Sequence, residues 1–147
     1  MNRLYTSYIR IGGRMLLPPP ILTYVQTDGS YRALAPRARI AAIIQPPASE
    51  EQRYMFPIEA SCSTEAEWAS IAIGLSLALE RGSDAIAVEN DNLGVIRSLI
   101  FPNTKLRHEY ARYYRDRILL SALETSWTGA RWIPREQNRA DDLFRQK

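Results

Sequence analysis

Thiols and imidazoles are almost absent from this chain, which has one cysteine, Cys62, and one histidine, His108, among 147 residues. A single thiol excludes an intrachain disulfide and a zinc cluster, and is compatible with a reducing compartment. With no activating partner in sequence, Cys62 reads as a passive residue ahead of a helix rather than a nucleophile. No apolar stretch is long enough to cross a membrane. The first segment carries Arg3, Arg10 and Arg14 but no adequate apolar core, which argues against a secretory signal. Two tyrosines and two glycines there interrupt any amphipathic transit pattern. An intracellular protein, cytoplasmic or nuclear, with no membrane partner is the expectation. No charge of one sign dominates. The net +3 mildly favours an anionic partner, and a basic solvated surface explains it equally well.

The length fits one domain with a real core. Pro18-Pro19-Pro20 stiffens the chain and separates an N-terminal extension, residues 1–20, from a domain spanning 21–147. Ile21 to Gln26 is a β-rich run, and Thr27-Asp28-Gly29-Ser30 reads as the turn that ends it. Ile40 to Gln45 is a second run, and Gln52 to Ala60 a third whose Pro57 suits an edge. Together they suggest an antiparallel meander. Ser63 or Thr64 can cap a helix with Trp68, Ile71, Ala72, Leu75 and Leu79 at helical spacing, terminated by Gly82. Asp84 to Asn90 reads as a buried strand parallel to the first. Helices over Leu93–Ile100 and Leu106–Glu124, a short strand over Ala130–Ile133 and a helix over Asn138–Gln146 complete the order β-β-β-α-β-α-α-β-α. Trp68, Trp127 and Trp132 are assigned to packing.

Against this frame four acids stand out. Asp28 and Asp91 end apolar runs, Glu67 lies in the first turn of the long helix, and Asp141 belongs to the last. Each alone has an ordinary explanation: a turn, a dipole partner, a helix cap, a solvated acid. Side by side at the ends of two parallel strands, they would repel one another without cations. Hard divalent ions such as Mg²⁺ prefer such oxygen ligands. Two ions about 4 Å apart can clamp an in-line phosphodiester displacement.

The order Asp–Glu–Asp–Asp in these contexts resembles the ribonuclease H superfamily, from about Ile21 to Phe144. Thr27-Asp28-Gly29-Ser30 is similar to that family's Thr-Asp-Gly-Ser. The Ala66-Glu67, Gly74-Leu75 and Ala78 spacing selects Glu67 over Glu65. Val88-Glu89-Asn90-Asp91-Asn92 resembles Val-Glu-Ser-Asp-Ser, and Pro134-Arg135-Glu136 through Asn138, Ala140-Asp141 and Leu143 looks like the family's ending. The match is nearest its type 1, reverse-transcriptase-like branch. The resemblance implies an α/β ribonuclease H-like fold with a five-stranded mixed sheet, three strands antiparallel and two parallel, flanked by helices. It implies a monomeric endonuclease cutting the RNA strand of RNA/DNA hybrids with two Mg²⁺ or Mn²⁺ ions held by Asp28, Glu67, Asp91 and Asp141. It further implies nucleic-acid contacts from Ser30, Ser63, Thr64, Asn92 and Arg135.

Four departures accompany the match. The glycine-rich loop after Asp-Gly-Ser is replaced by Tyr31–Arg39, with Arg32, Arg37 and Arg39 as candidate phosphate contacts. Asparagines ahead of the catalytic Glu are Ser63 and Thr64 here. The mobile histidine before the last acid is missing, and so is a tryptophan-bearing basic handle. A catalytically weak or inactive nucleic-acid-binding or assembly module is the alternative these departures leave open. His108, Arg112 and Arg115 fall at helical spacing as one basic stripe, either a solvated face or a phosphate rail.

Overall fold

The computed structural model describes residues 7–145; the start of the extension, residues 1–6, and Gln146 and Lys147 lie outside the described residues. In chain order the elements are β1 (Ile9–Gly12), β2 (Thr23–Tyr31), β3 (Ala38–Gln45), β4 (Gln52–Ile58), α1 (Ser63–Glu80), β5 (Ala85–Asn90), α2 (Leu93–Ile100), α3 (Glu109–Leu123), β6 (Trp127–Trp132), a 3₁₀ turn (Arg135–Gln137) and α4 (Arg139–Leu143). The strands form one sheet in the order β1-β6-β5-β2-β3-β4. Neighbours β2, β5 and β6 run parallel, while β3, β4 and β1 are antiparallel to the strands they join. Among the described residues no helix is long and apolar enough to cross a membrane.

The expected α/β class holds, but the sheet has six strands rather than five. The extra one, β1, lies within the segment read as an extension and pairs with β6 through Ile9↔Ala130 and Arg10↔Gly129. Its four residues carry too short an alternation to be distinguished from coil, although Ile9 and Ile11 pack against the core. β4 forms the other edge and accommodates Pro57, as its residue type requires. Most of the core lies on the sheet face covered by α1, α2 and α3, where Val25, Ile44, Trp68, Ile71, Leu75, Val88, Leu99 and Ile118 meet. On the opposite face Ala41 and Ile43 pack against Ala140, Leu143 and Phe144 of the C-terminal segment.

Several boundaries differ from the sequence reading: β6 begins at Trp127 rather than Ala130, α4 ends at Leu143 rather than Gln146, and three further differences lie near the site or in the third helix. The Asp-Gly-Ser segment is not a turn. β2 continues through it, pairing Asp28↔Ala41 and Ser30↔Arg39, and the reversal comes later, where the Arg32 N–H donates to the Arg37 carbonyl at 2.7 Å. Cys62, not Ser63 or Thr64, is the N-cap of α1; it offers no side-chain cap, and Glu65 instead accepts from the backbone and hydroxyl of Ser61. The third helix begins at Glu109, with His108 as its N-cap, rather than at Leu106, and the Arg112 and Arg115 guanidiniums donate to the Leu106 and Thr104 carbonyls ahead of it, at 2.8 and 2.6 Å. Gly82 follows α1 at φ +86°, a conformation that residues with a Cβ rarely adopt.

Candidate metal centre

Strands β2 and β5 are paired only as far as Gln26↔Glu89. Beyond that point two buried amides replace the ladder. Asn90 donates to both the carbonyl and the hydroxyl of Thr27 at 3.0 Å, and Asn138 donates to the same carbonyl at 2.9 Å. Asn138 is also the N-cap of α4, accepting from the Ala140 N–H at 3.1 Å. The strand ends carrying Asp28 and Asp91, and the helix carrying Asp141, therefore meet around one carbonyl. The Trp132 indole adds a bond to the Asp91 carbonyl at 2.9 Å.

Glu67 reaches the same place from the helical face of the sheet, and Gly29 is what allows it. A Cβ at Gly29 would lie 2.4 Å from the carbonyl carbon of Ala66 and 2.5 Å from the Glu67 nitrogen. Only hydrogen fits between strand and helix, so the Gly29 N–H comes within 2.5 Å of Glu67 Oε1 and fixes that carboxylate. Asp28, Glu67 and Asp91 each then offer an oxygen within 4.8 Å of the others. Asp141 lines the same groove of about 430 Å³, together with Ser30, Ser63, Arg135 and Arg145. It is flanked by cations, with Arg145 at 2.7 Å and Arg135 at 3.6 Å from Oδ2.

Packing carboxylates this closely raises their affinity for protons. Burial is the main cause at Asp28, followed by the charges of Glu67 and Asp91, and together they push its carboxyl up to about 10. Glu67 is pushed up to about 7, by burial and then Asp91, against the pull of the Gly29 amide. Burial also raises Asp91. Such a set cannot ionise fully on its own, and an all-oxygen donor set suits a hard divalent cation. The residues fit Mg²⁺ or Mn²⁺.

The remaining sequence candidates are distributed differently. Ser30, Ser63 and Arg135 line the groove, whereas Thr64 is exposed and not part of its wall. The Asn92 side chain accepts the Val95 N–H at 3.1 Å and so caps α2. Arg32 and Arg37 are exposed on the β2–β3 connection, where Arg32 donates to the Pro36 carbonyl at 3.2 Å. Arg39 is not on that loop but within β3, its guanidinium 5.0 Å from the centre of the Phe144 ring. Sequence reasoning did not single out Tyr31, Phe144 or Arg145 as groove residues. Nothing local marks Phe144 and Arg145, because the C-terminal segment reaches the site only through the packing of α4, and Tyr31 lines the groove because β2 continues past Asp28.

The reverse transcriptase-like family model matches residues 26–146. No curated protein matches the chain by sequence. Among solved structures the chain is similar to RNase H1 from the halophilic archaeon Halobacterium salinarum NRC-1, at 22% identity and TM-score 0.71, covering 83% of this chain and 93% of that one. The N-terminal RNase H domain of Rv2228c from Mycobacterium tuberculosis aligns at 21% identity and TM-score 0.70, over 84% and 90% of the two chains. LC11-RNase H1, solved in complex with an RNA/DNA hybrid, aligns at 22% identity and TM-score 0.68, over 84% and 92%. Matched along most of its length by the family model, and sharing the fold of these RNase H structures, the chain belongs to the reverse transcriptase-like family.

Proposed function

We propose that the protein is a metal-dependent endonuclease that hydrolyses the RNA strand of RNA/DNA hybrids. The observation that carries this reading is the convergence of Asp28, Glu67 and Asp91 within 4.8 Å, with Asp141 on the same groove wall. That LC11-RNase H1 was solved with a hybrid supports the substrate class.

Asp28 would help hold both cations. Glu67 and Asp91 would help hold one of them and Asp141 the other. Bound Mg²⁺ or Mn²⁺ supplies charge neutralisation at the phosphodiester and a nucleophilic water at neutral pH. The chain's own contribution is preorganisation. Gly29 orients Glu67, the Thr27–Asn90–Asn138 bonds hold the acids at fixed separation, and the groove exposes Ser30 and Ser63 to the nucleic-acid backbone. Arg135, with its side chain 73% exposed, stands at the mouth beside Asp141, where it can meet a phosphate. In-line attack by water at phosphorus breaks the bond to the 3′ oxygen, leaving a 5′-phosphate and a 3′-hydroxyl.

The test is cleavage of an end-labelled hybrid with Mg²⁺ or Mn²⁺, beside Asp28→Asn at matched purity. Cleavage by the wild type, nearly abolished in the folded variant, is the expected result. Undiminished activity in Asp28→Asn would sink the metal assignment. Tight hybrid binding without cleavage at any concentration of either cation would instead establish a nucleic-acid-binding module.

A further inference from the structure

Glu89 is a buried carboxylate, 6% exposed, that the chemistry above leaves unused. It lies on β5 two residues before Asp91. Its Oε2 accepts from the Tyr8 hydroxyl at 2.8 Å and pairs with the Arg131 guanidinium; its Oε1 accepts from Gln26 Nε2 at 2.9 Å. The Arg131 guanidinium also lies over the Tyr8 ring, 4.5 Å from its centre. On its other side, Gln26 Oε1 accepts the backbone N–H of Arg139 at 3.1 Å. A continuous run of bonds thus crosses the sheet from Tyr8, the residue before β1, through β6, β5 and β2 to the first residue of α4.

The placement of this run is what gives it meaning. Gln26, Glu89 and Arg139 each stand two residues before an acid of the groove: Asp28, Asp91 and Asp141 respectively. The run also lies where the β2–β5 ladder ends, one residue before the Asn90–Thr27 bonds that continue the tie towards the site. Stability alone is a poor reason for it, because apolar residues of similar volume commonly replace a buried ion pair at no cost. Directional bonds do what apolar packing cannot: they fix the register and separation of three backbone segments.

We infer that Glu89 is a positioning residue for the metal centre, acting through Gln26 on Asp28 and Asp141 and through its own strand on Asp91, with Tyr8 and Arg131 holding its carboxylate in place. The inference rests on the proposed metal-dependent reading of the groove. It also gives the segment around β1 a part in cation binding, since Tyr8 supplies one of the bonds.

The test is Mn²⁺ binding by calorimetry on the full chain, for the wild type, Glu89→Gln and Gln26→Leu, with thermal melts of each in EDTA. Groups bonded directly to metal ligands typically contribute about 10–100-fold in affinity, and Glu89 acts one bond further out, which sets the lower end of that range as the expectation. A rise of about 10-fold or more in the Mn²⁺ Kd of both variants, in protein that still melts cooperatively, is the expected result. Unchanged Mn²⁺ affinity in the folded variants, accompanied only by a lower melting temperature, would overturn the inference and leave Glu89 a stability residue. If Glu89→Gln does not fold, Gln26→Leu decides by the same criterion, because it leaves the Glu89–Arg131 pair intact. Wild-type protein that binds no Mn²⁺ would overturn the metal reading itself, an outcome distinct from unaltered binding in the variants.

Discussion

Gly29 and Asp28 are adjacent, yet substitution at each should act in opposite directions. A methyl group at Gly29 would strike backbone atoms of Ala66 and Glu67, which cannot rotate away as a side chain can. Gly29→Ala should therefore force β2 from α1 at a cost of about 1–3 kcal/mol, and release the Gly29–Glu67 bond. Urea unfolding beside a Mn²⁺ titration would register both effects, and an unchanged midpoint in each would refute the close-approach argument. Asp28→Asn removes one of three crowded carboxylates. In metal-free protein it should raise stability by about 0.5–2 kcal/mol, the exchange of stability for activity expected at a site built on repulsion. The same variant should gain little from added Mg²⁺. A destabilised metal-free Asp28→Asn would show that the carboxylate is structural.

At the scale of elements, the arginines that follow Asp28 divide into two kinds. Arg32 and Arg37 project from the β2–β3 connection, whereas Arg39 packs on Phe144, the groove residue that follows α4. Arg32→Glu with Arg37→Glu should raise the Kd for hybrid and flatten its salt dependence while leaving the melting temperature unchanged. Equal salt slopes for variant and wild type would return this loop to the solvated surface. Arg39→Ala should instead cost about 0.5–1 kcal/mol by loss of its stacking on Phe144, read as a lower urea midpoint. In the basic stripe at α3, Arg112 and Arg115 donate to carbonyls of the Thr104–Leu106 segment and His108 stacks on Tyr110 at 5.0 Å. β1 is a further structural element with a measurable role. It covers the edge of β6, so deleting residues 1–13 should expose that edge, lower the melting temperature and promote association visible by light scattering.

For the molecule as a whole, the clustered acids make stability depend on pH and on cation together. Asp28, Glu67 and Asp91 take up protons more readily folded than at their ordinary values of 3.8 for Asp and 4.5 for Glu. Their contribution is therefore fully present below about pH 4 and is lost as pH rises through the folded values, about 7 for Glu67. Glu51, held low by Arg139 and Arg53, and Asp84, held low by Ser126 and Arg14, have the opposite sign, but their contribution is lost only in more acid solution. Between pH 5 and pH 8 the acid cluster should dominate. In EDTA the melting temperature should fall across that interval, and Mg²⁺ should restore it most at pH 8, where fewer protons compete. Thermal melts at both pH values with and without Mg²⁺ would check this. An EDTA profile that is flat or rises with pH would contradict the cluster's electrostatics.

How much of this was legible in the sequence follows from how local each signal is. The helical period of Trp68, Ile71, Leu75 and Leu79, the apolar run ending at Asn90 and the stop at Gly82 are encoded within a few residues, so α1, β5 and the α/β class could be read directly. The four acids were recognisable because each sits in a short motif of fixed order. Other features depend on partners far along the chain. Asp-Gly-Ser has the composition of a turn, and only pairing with β3 and the approach of α1 make it strand, with Gly29 needed for closeness rather than for turning. Four residues of β1 become a strand only because β6 offers an open edge. The bonds that cross from Tyr8 to Arg139 span sites more than a hundred residues apart, and no local pattern records them. The sequence by itself determined the chemistry available, oxygen ligands in a fixed order on an alternating fold. The tertiary structure alone decided their separation and their shared charge, because both depend on where distant backbones stop pairing.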